Sequence, residues 1–375
     1  MMTALRTPIC DLFGVRYPIV QTGMGYVSGP ALTAATANAG GLGILASATM
    51  SYPELAAAIE QTRSLTPAPF GVNLRADAPD AGRRVDLLIS EGVRVASFAL
   101  APKPELIARL KEAGIVVVPS IGARRHAEKV AAWGADAVVV QGGEGGGHTG
   151  QVATTVLLPQ VVDAVDIPVI AAGGFFDGRG LAAALCYGAA GIAMGTRFLL
   201  TRDSQVPDSV KRLYLAATVA DTVVTDALDG VPQRLLRTPF VERLVRDGSI
   251  VRLLRSARSA ATFRRLTGST WPAMARDGLA MRRSHDLALG QVLLAANTPA
   301  LLRAAMIDGR PDFGVMATGQ VTGLIEDLPS CAELIDRIIT QAEAVLGRLA
   351  GPGVQPAGPA QDDSSLPGRS EGEKP

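Results

Sequence analysis

The stretch "PVIAAGGFFDGRGLAAALCYGAAGIAMGTRF", residues 168–198, decides the fold because its pattern predicts a strand, a helix and a second strand in immediate succession. The apolar runs at its two ends, 168–174 and 191–198, are continuous instead of alternating, which is typical of parallel strands covered on both faces. The alanine- and leucine-rich segment between them predicts the crossover helix that parallel strands require. The stretch therefore predicts a βαβ unit.

The same unit recurs along the first half of the chain. Six earlier apolar runs have the same character: "PIVQTGM" (18–24), "GLGILAS" (41–47), "FGVNLR" (70–75), "VRVASFAL" (93–100), "IVVVPS" (115–120) and "AVVVQGG" (137–143). Amphipathic segments separate most of them. Eight strands at a spacing of roughly 20–30 residues predict an α/β fold of the (β/α)8 TIM barrel type. An open doubly wound sheet remains the alternative, because a sequence does not show closure.

The regular succession of predicted strands ends after residue 200. Residues 201–316 are predicted to form a helical insertion or lid, and "CAELIDRIITQAEAVLGRL" (331–349) the closing helix of the barrel. We therefore expect a barrel of residues 5–200 and 317–350 with the insertion rising from its C-terminal face, where barrel enzymes keep their active sites. Residues 351–375 are rich in Pro, Gly, Ser and charge, which predicts a disordered tail.

The insertion is strongly basic. Between Arg234 and Arg283 it contains twelve arginines against three acids. Arg252, Arg255 and Arg258 share one helix face through their spacing. Arginine suits phosphate through its bidentate donors, so this face is a candidate for binding a substrate phosphate. The alternative is a solvated helix surface.

Composition excludes several classes of protein. A net charge of +1 and 48% hydrophobic residues give no general attraction to nucleic acid or membrane. The three cysteines lie far apart, as expected of a cytoplasmic protein without disulfides or a structural zinc site. We expect no signal peptide and no transmembrane helix. Cys186, in a helical stretch, is predicted to be a packing residue.

The predicted strand ends carry few reactive side chains. No lysine lies there, Glu144 is the one acid that directly ends a strand, and His148 the one histidine. These side chains build no metal site, so a cofactor is expected to carry the reaction. Glu144 is expected to orient a neighbouring loop or His148, with a role as a base as the alternative.

Glycines indicate which cofactor binds. The loops after strands seven and eight are the usual phosphate site of this fold, and they contain Gly173, Gly174, Gly195 and Thr196. The alternative is glycine needed for tight turns. A phosphate site combined with cofactor chemistry suggests flavin mononucleotide, FMN. The stretch "QGGEGGGHTG" (141–150) would then form a flat backbone surface beside the flavin ring, with His148 facing the substrate.

Several motifs in order resemble the nitronate monooxygenase-like family, over roughly residues 5–350. They are "PIVQTGMG", "GVN", "QGGEGGGHTG", "PVIAAGGFFDGRG", "GAAGIAMGTRFL" and the late "ATGQVTGLI". The resemblance implies FMN bound by Gly23, Met24, Gly25, Asn73, Gln141, Gly146, Gly147, Gly173, Gly174, Met194, Gly195 and Thr196. It also implies His148 in proton transfer. One departure is Gly145, where the family commonly has alanine, and we expect the missing methyl group to leave room for a bulky substrate.

Within the family, the motifs are most similar to a steroid-degrading branch. That similarity implies α,β-desaturation of a bicyclic indanone-type carboxyl-CoA thioester, with electrons passed to NAD. A histidine suits the base, because it changes charge near neutral pH. Two alternatives remain open: a nitronate monooxygenase that uses O₂, and a flavin-free barrel isomerase, lyase or phosphate-binding module. A homo-oligomer is compatible with the sequence.

Overall fold

A computed structural model describes residues 5–246 and 289–351 of the chain; for 289–297 it describes the backbone helix alone. Its strands, numbered in chain order, are β1 Ile19–Gln21, β2 Leu42–Ala46, β3 Gly71–Arg75, β4 Val95–Ala99, β5 Val116–Ile121, β6 Val138–Gln141, β7 Gly147–His148, β8 Val169–Ala172, β9 Gly191–Met194, β10 Thr222–Thr225 and β11 Gln233–Leu236. Arg252, Arg255, Arg258 and the tail after residue 351 lie outside the described residues.

Eight of these strands close into a parallel barrel in the order β1-β2-β3-β4-β5-β6-β8-β9, with β9 paired to β1. The closed barrel confirms the predicted (β/α)8 fold, and the open doubly wound sheet is wrong. Residues of the barrel strands are almost all buried, which explains why the apolar runs are continuous. Strand residues alternate between two cores: Val20 packs inside the barrel, whereas Ile19 packs against the outer helices.

The α-helices surround the barrel and extend beyond it. They are Pro8–Phe13, Pro30–Asn38, Tyr52–Leu65, Ala81–Ser90, Pro104–Glu112, Arg124–Ala132, Thr154–Val162, Gly178–Cys186, Thr196–Leu199, Asp208–Leu215, Pro239–Arg246, Leu289–Met306 and Cys331–Leu349. Two 3₁₀ helices cover Pro311–Phe313 and Gln320–Leu324. No helix in the described ranges combines the length and apolar composition that a bilayer span requires.

The helix Cys331–Leu349 packs on the outside of the barrel, at the residues where the sequence analysis predicted a helix. Ser330 and Glu333 form a capping box that begins it. It packs tightly against the helix after β8, because a Cβ at Gly178 would lie 2.4 Å from the carbonyl oxygen of Ile338. Glycine is therefore required at this contact.

The described parts of the segment between β9 and the helix Cys331–Leu349, 195–246 and 289–330, contain helices and also two strands that the sequence analysis missed. β10 and β11 form an antiparallel pair, and β11 continues the sheet by pairing with β7, the two residues Gly147–His148. The resulting three-stranded sheet joins the insertion to the glycine-rich loop after β6. This sheet positions the candidate site.

Candidate active site

His148 lies on the short strand β7, at the C-terminal end of the barrel. Its backbone faces Gln233 of β11, and the neighbouring Gly147 faces Arg234. The backbone of Gly147 has a φ of +66°, and a Cβ there would meet no atom within 4 Å. The imidazole remains largely accessible, with 60% of its side-chain surface exposed. Strand pairing therefore fixes the backbone of His148 while its imidazole ring stays accessible.

Asp229 holds the imidazole of His148. The Nε2 atom of His148 lies 2.9 Å from Oδ2 of Asp229. Gln233 Nε2 donates to the same oxygen at 2.5 Å, and the N–H of Val231 donates to Oδ1 at 3.1 Å. Burial raises the pKa of the Asp229 carboxyl, but the hydrogen bonds and charge of His148, with those from Gln233 and Val231, outweigh burial and lower it overall. Asp229 is therefore held as a carboxylate beside the ring.

Gln141 ends β6 and supports the loop that follows. Its Nε2 donates to the carbonyl oxygen of His148 at 2.8 Å. A Cβ at Gly145 would lie 2.5 Å from that same Nε2. The expectation that Gly145 leaves room for substrate is therefore wrong, because the Gln141 side chain occupies the space of the missing methyl group.

Glu144 binds the start of the next helix. Its carboxylate accepts hydrogen bonds from the backbone N–H of Thr154 at 3.0 Å and from the Thr154 hydroxyl at 2.7 Å. Thr154 also donates to the carbonyl oxygen of Gly173 at 3.1 Å. Of the roles predicted for Glu144, these contacts match the orientation of a neighbouring loop.

The late motif "ATGQVTGLI" packs against the glycine loop. A Cβ at Gly146 would lie 2.5 Å from the carbonyl carbon of Thr318 and 2.6 Å from the nitrogen of Gly319. The N–H of Gly319 donates to the Thr196 hydroxyl at 2.9 Å, and the N–H of Gln320 donates to the carbonyl oxygen of Glu144 at 3.0 Å. The motif therefore joins the loops after β6 and β9.

The loops after β8 and β9 contain the glycines for which the sequence analysis predicted a phosphate site, with tight turns as the alternative. Gly173 and Gly174 have φ values of +96° and +83°, which other residues rarely adopt. Gly195 follows β9 and caps the helix that begins at Thr196, and the first N–H groups of a helix have no acceptor within it. A Cβ at Gly195 would lie 3.3 Å from the sulfur of Met24. Met194 itself is buried in β9.

The ends of β1 and β3 also meet. A Cβ at Gly23 would lie 2.5 Å from Cβ of Asn73, and one at Gly25 would lie 3.0 Å from the Thr49 side chain. Asn73 is buried, and its Nδ2 donates to the Ser97 hydroxyl at 3.2 Å. No residue of the described ranges donates a hydrogen bond to its Oδ1. This oxygen is therefore available to a ligand.

Two arginines lie near the histidine loop. Arg75 ends β3 and is held by Asp77, and the pKa of its guanidinium is raised by that hydrogen bond and by the charges of Asp77 and Asp229, although burial opposes them. Arg234 of β11 donates to the carbonyl oxygen of Gly143 at 2.8 Å, and burial lowers its pKa against the attraction of Glu144. These two side chains keep positive charge at the rim.

The structure brings together the predicted residues in three linked groups. The first joins Gly23 with Asn73, the second joins Met24 with Gly195, and the third runs from Gln141 to His148. The sequence analysis missed Asp229, Gln233 and Arg75. Arg75 directly ends a predicted strand, which is a usable signal, whereas Asp229 and Gln233 lie in the insertion with no motif around them.

Comparison with known proteins identifies the family. The sequence profile described as nitronate monooxygenase matches residues 6–84 and 80–341. The chain belongs to the nitronate monooxygenase family. Within it, the chain is 63% identical over 341 residues to a protein of Rhodococcus jostii and 66% identical over 342 residues to one of Mycobacterium tuberculosis. The matches cover 91% and 90% of this chain, and 97% and 96% of the relatives.

Both relatives carry the same name, (3aS,4S,5R,7aS)-5-hydroxy-7a-methyl-1-oxo-octahydro-1H-indene-4-carboxyl-CoA dehydrogenase. Among solved structures, FabK from Thermotoga maritima superimposes with a TM-score of 0.76 at 34% identity, covering 93% of this chain and 99% of FabK. These family members confirm the predicted resemblance. The protein is an oxidoreductase of the flavin-dependent type.

Proposed function

We propose that the protein is an FMN-dependent dehydrogenase that desaturates the CoA thioester of a bicyclic indanone carboxylic acid. The observation that carries this proposal is identity of 63% and 66%, over nearly the whole chain, to two proteins named for that CoA substrate. The substrate class and the dehydrogenation follow from those names, and desaturation between the α- and β-carbons is what the resemblance to the steroid-degrading branch implies. NAD is the proposed acceptor of the electrons.

The strand ends fit the cofactor. A Cβ at Gly146 would meet the backbone of Thr318 and Gly319, and one at Gly23 would meet the Asn73 side chain, so these strand ends have no room for a larger residue. The positive φ values of Gly173 and Gly174, next to the helix start at Thr196, support a phosphate site after β8 and β9. The free Oδ1 of Asn73 supports a hydrogen bond from the flavin pyrimidine ring. Bound FMN would supply an acceptor for the hydride of the substrate β-carbon.

His148 handles the proton in this proposal. The thioester carbonyl acidifies the hydrogen on the α-carbon, and the imidazole accepts that proton. The pair of electrons from the α-carbon–hydrogen bond forms the new double bond as the β-hydride leaves. The substrate therefore loses one proton and one hydride. The imidazole is 60% exposed, so a bulky thioester can reach it.

The insertion is the proposed binding region for CoA. Arg252, Arg255 and Arg258 remain the candidates for its phosphates, because arginine binds phosphate through two parallel hydrogen bonds. They lie outside the described residues. Binding by them stays a prediction of the sequence.

Replacing His148 tests the proposal. We expect His148→Ala to lower kcat for dehydrogenation of the indanone carboxyl-CoA by about 10²–10⁴-fold, because a positioned base contributes about that factor. The visible spectrum should show the same flavin content as the wild type. His126→Ala is the matched control, because His126 is exposed on an outer helix. Loss of flavin from His148→Ala would instead assign His148 a structural role.

The family match favours one second function, oxidation of a small alkyl nitronate by O₂. Oxygen uptake with propionate 3-nitronate separates the two activities. Rapid uptake with the nitronate, and no flavin reduction by the CoA thioester, would overturn the dehydrogenase in favour of the monooxygenase.

A further inference from the structure

We propose that Asp229 is a positioning residue that holds the proton of His148 on Nε2, so that Nδ1 is the atom that exchanges the proton with substrate. The inference rests on the proposed function for the identity of the substrate. It goes beyond it by naming the reactive atom, and by making the insertion part of the catalytic apparatus.

The contacts of Asp229 fix the direction of the hydrogen bond. The carboxylate is 13% exposed, and Oδ2 accepts from Gln233 as well as facing the imidazole at 2.9 Å. The other oxygen, Oδ1, accepts from the N–H of Val231. A carboxylate held by two further donors acts as an acceptor, so the ring nitrogen that faces it must donate. The neutral imidazole therefore carries its hydrogen on Nε2.

This arrangement leaves the lone pair on Nδ1. No residue in the described ranges makes a hydrogen bond to Nδ1 of His148, and the ring is exposed. The carboxylate also stabilises the imidazolium that forms when Nδ1 accepts a proton, because opposite charges within hydrogen-bond distance attract. Asp229 thus sets the orientation of the ring and assists its protonation without contacting the substrate.

Sheet pairing holds Asp229 and His148 in a fixed relative position. Asp229 lies in the turn between β10 and β11, and the pairing of Gln233 with His148 sets their register. A loop contact alone would leave the glycine-rich segment free to rotate, whereas two paired strands hold both backbones. Asp229 in the turn contacts the imidazole, and Gln233 of β11 both donates to Asp229 and pairs with the backbone of His148.

Other charges also face this pair. Arg75 of β3 attracts Asp229 across the barrel mouth, and Arg234 of β11 donates to the carbonyl oxygen of Gly143 and is attracted by Glu144. Of these charged groups, Asp229 is the one that contacts the imidazole directly.

Asn at position 229 disturbs the arrangement in either orientation of its amide. If its oxygen faces His148 and Gln233, its NH₂ group meets the N–H of Val231. If its NH₂ group faces His148, a donor meets Nε2–H and forces the hydrogen to Nδ1. One donor therefore always faces another. The charge that stabilises the imidazolium is lost in both cases.

The first experiment reads the tautomer without any turnover. The flavin-bound enzyme is labelled with ¹⁵N-histidine, and long-range ¹H–¹⁵N spectra separate protonated from unprotonated ring nitrogens. The chain has three histidines, and the signal lost in His148→Ala identifies the one of interest. We expect Nε2–H in the wild type and a shift toward Nδ1–H in Asp229→Asn. Nδ1–H in the wild type would overturn the proposal, whether or not the variant folds.

The second experiment follows kcat/KM for the CoA thioester against pH. In Asp229→Asn we expect a loss of about 10²-fold, within the range of a positioned base. We also expect the midpoint of the acidic limb to move to lower pH, because the negative charge beside the ring is lost. Asp226→Asn, an exposed change of the same charge three residues earlier, should move neither quantity.

The two experiments separate two failures. A wild type with the Nε2–H tautomer but no dehydrogenation of the CoA thioester would refute the proposed function and leave the positioning role standing. A wild-type rate profile in Asp229→Asn, with the flavin spectrum and circular dichroism unchanged, would refute the positioning role and leave the function standing.

Discussion

Gly146→Ala is expected to force apart the two loops that cover the barrel mouth. A Cβ at this position would lie 2.5 Å from the carbonyl carbon of Thr318 and 2.6 Å from the nitrogen of Gly319. Carbon atoms in contact are about 3.5–4.0 Å apart, so the loops must separate by about 1 Å. Both neighbours are backbone atoms, which cannot rotate away as a side chain does. Overpacking of this kind costs about 1–3 kcal/mol, and we expect the upper part of that range.

The separation also weakens two hydrogen bonds, from Gly319 to the Thr196 hydroxyl and from Gln320 to the Glu144 carbonyl. Urea unfolding followed by circular dichroism measures the change in free energy, and absorbance after gel filtration measures retained flavin. Gly147→Ala is the control: a Cβ there meets nothing, but its φ of +66° costs about 1–2 kcal/mol. The reasoning is refuted if Gly146→Ala unfolds like the wild type with full flavin, or if Gly147→Ala is the less stable of the two.

Two further predictions use the same protein. Gly145→Ala should lower the free energy of unfolding in urea by about 1 kcal/mol, because the Gln141 side chain can rotate away with the loss of one hydrogen bond. This loss should be smaller than that of Gly146→Ala, and an equal or larger loss would contradict the reasoning. Iodoacetamide at pH 8 should label Cys186, which is exposed, and leave Cys10 and Cys331 unlabelled until urea is added. Both of the unlabelled cysteines are buried, and burial raises the pKa of the Cys331 thiol to about 12. Mass spectrometry counts the labels, and three labels in the folded protein would be inconsistent with this burial.

The barrel was predictable from local pattern. Each strand is short and buried, so its residues form a continuous apolar run such as "VVVQ" at β6. The intervening helices are recognised by apolar residues that recur with the helical period. The strand-end glycines were also predictable, because positions such as Gly173 need a backbone that other residues rarely adopt. For Cys186 the prediction was wrong: the residue ends its helix and is exposed. A small apolar residue in a helix gives no sign of which face it occupies.

The contacts across the site were not predictable. β11 pairs with a strand of two residues more than 80 positions earlier in the chain, and so short a strand has no period to detect. Asp229 therefore reaches His148 through a pairing that leaves no local signal. The expectation for Gly145 failed for a related reason, because only the fold shows that the nearest neighbour is Gln141 and not open space.

The order of the barrel strands explains why an insertion after β9 can act on a loop after β6. In the sheet, β6 and β9 are separated by β8 alone, a distance of about 10 Å at the usual strand spacing. A segment that leaves the end of β9 therefore passes close to the glycine-rich loop, and β11 pairs with it. That loop loses much entropy on ordering because of its glycines, and the added hydrogen bonds offset part of this loss. The insertion therefore contacts the strand that carries His148, and a change in the insertion that suits a new substrate also acts on the position of this side chain.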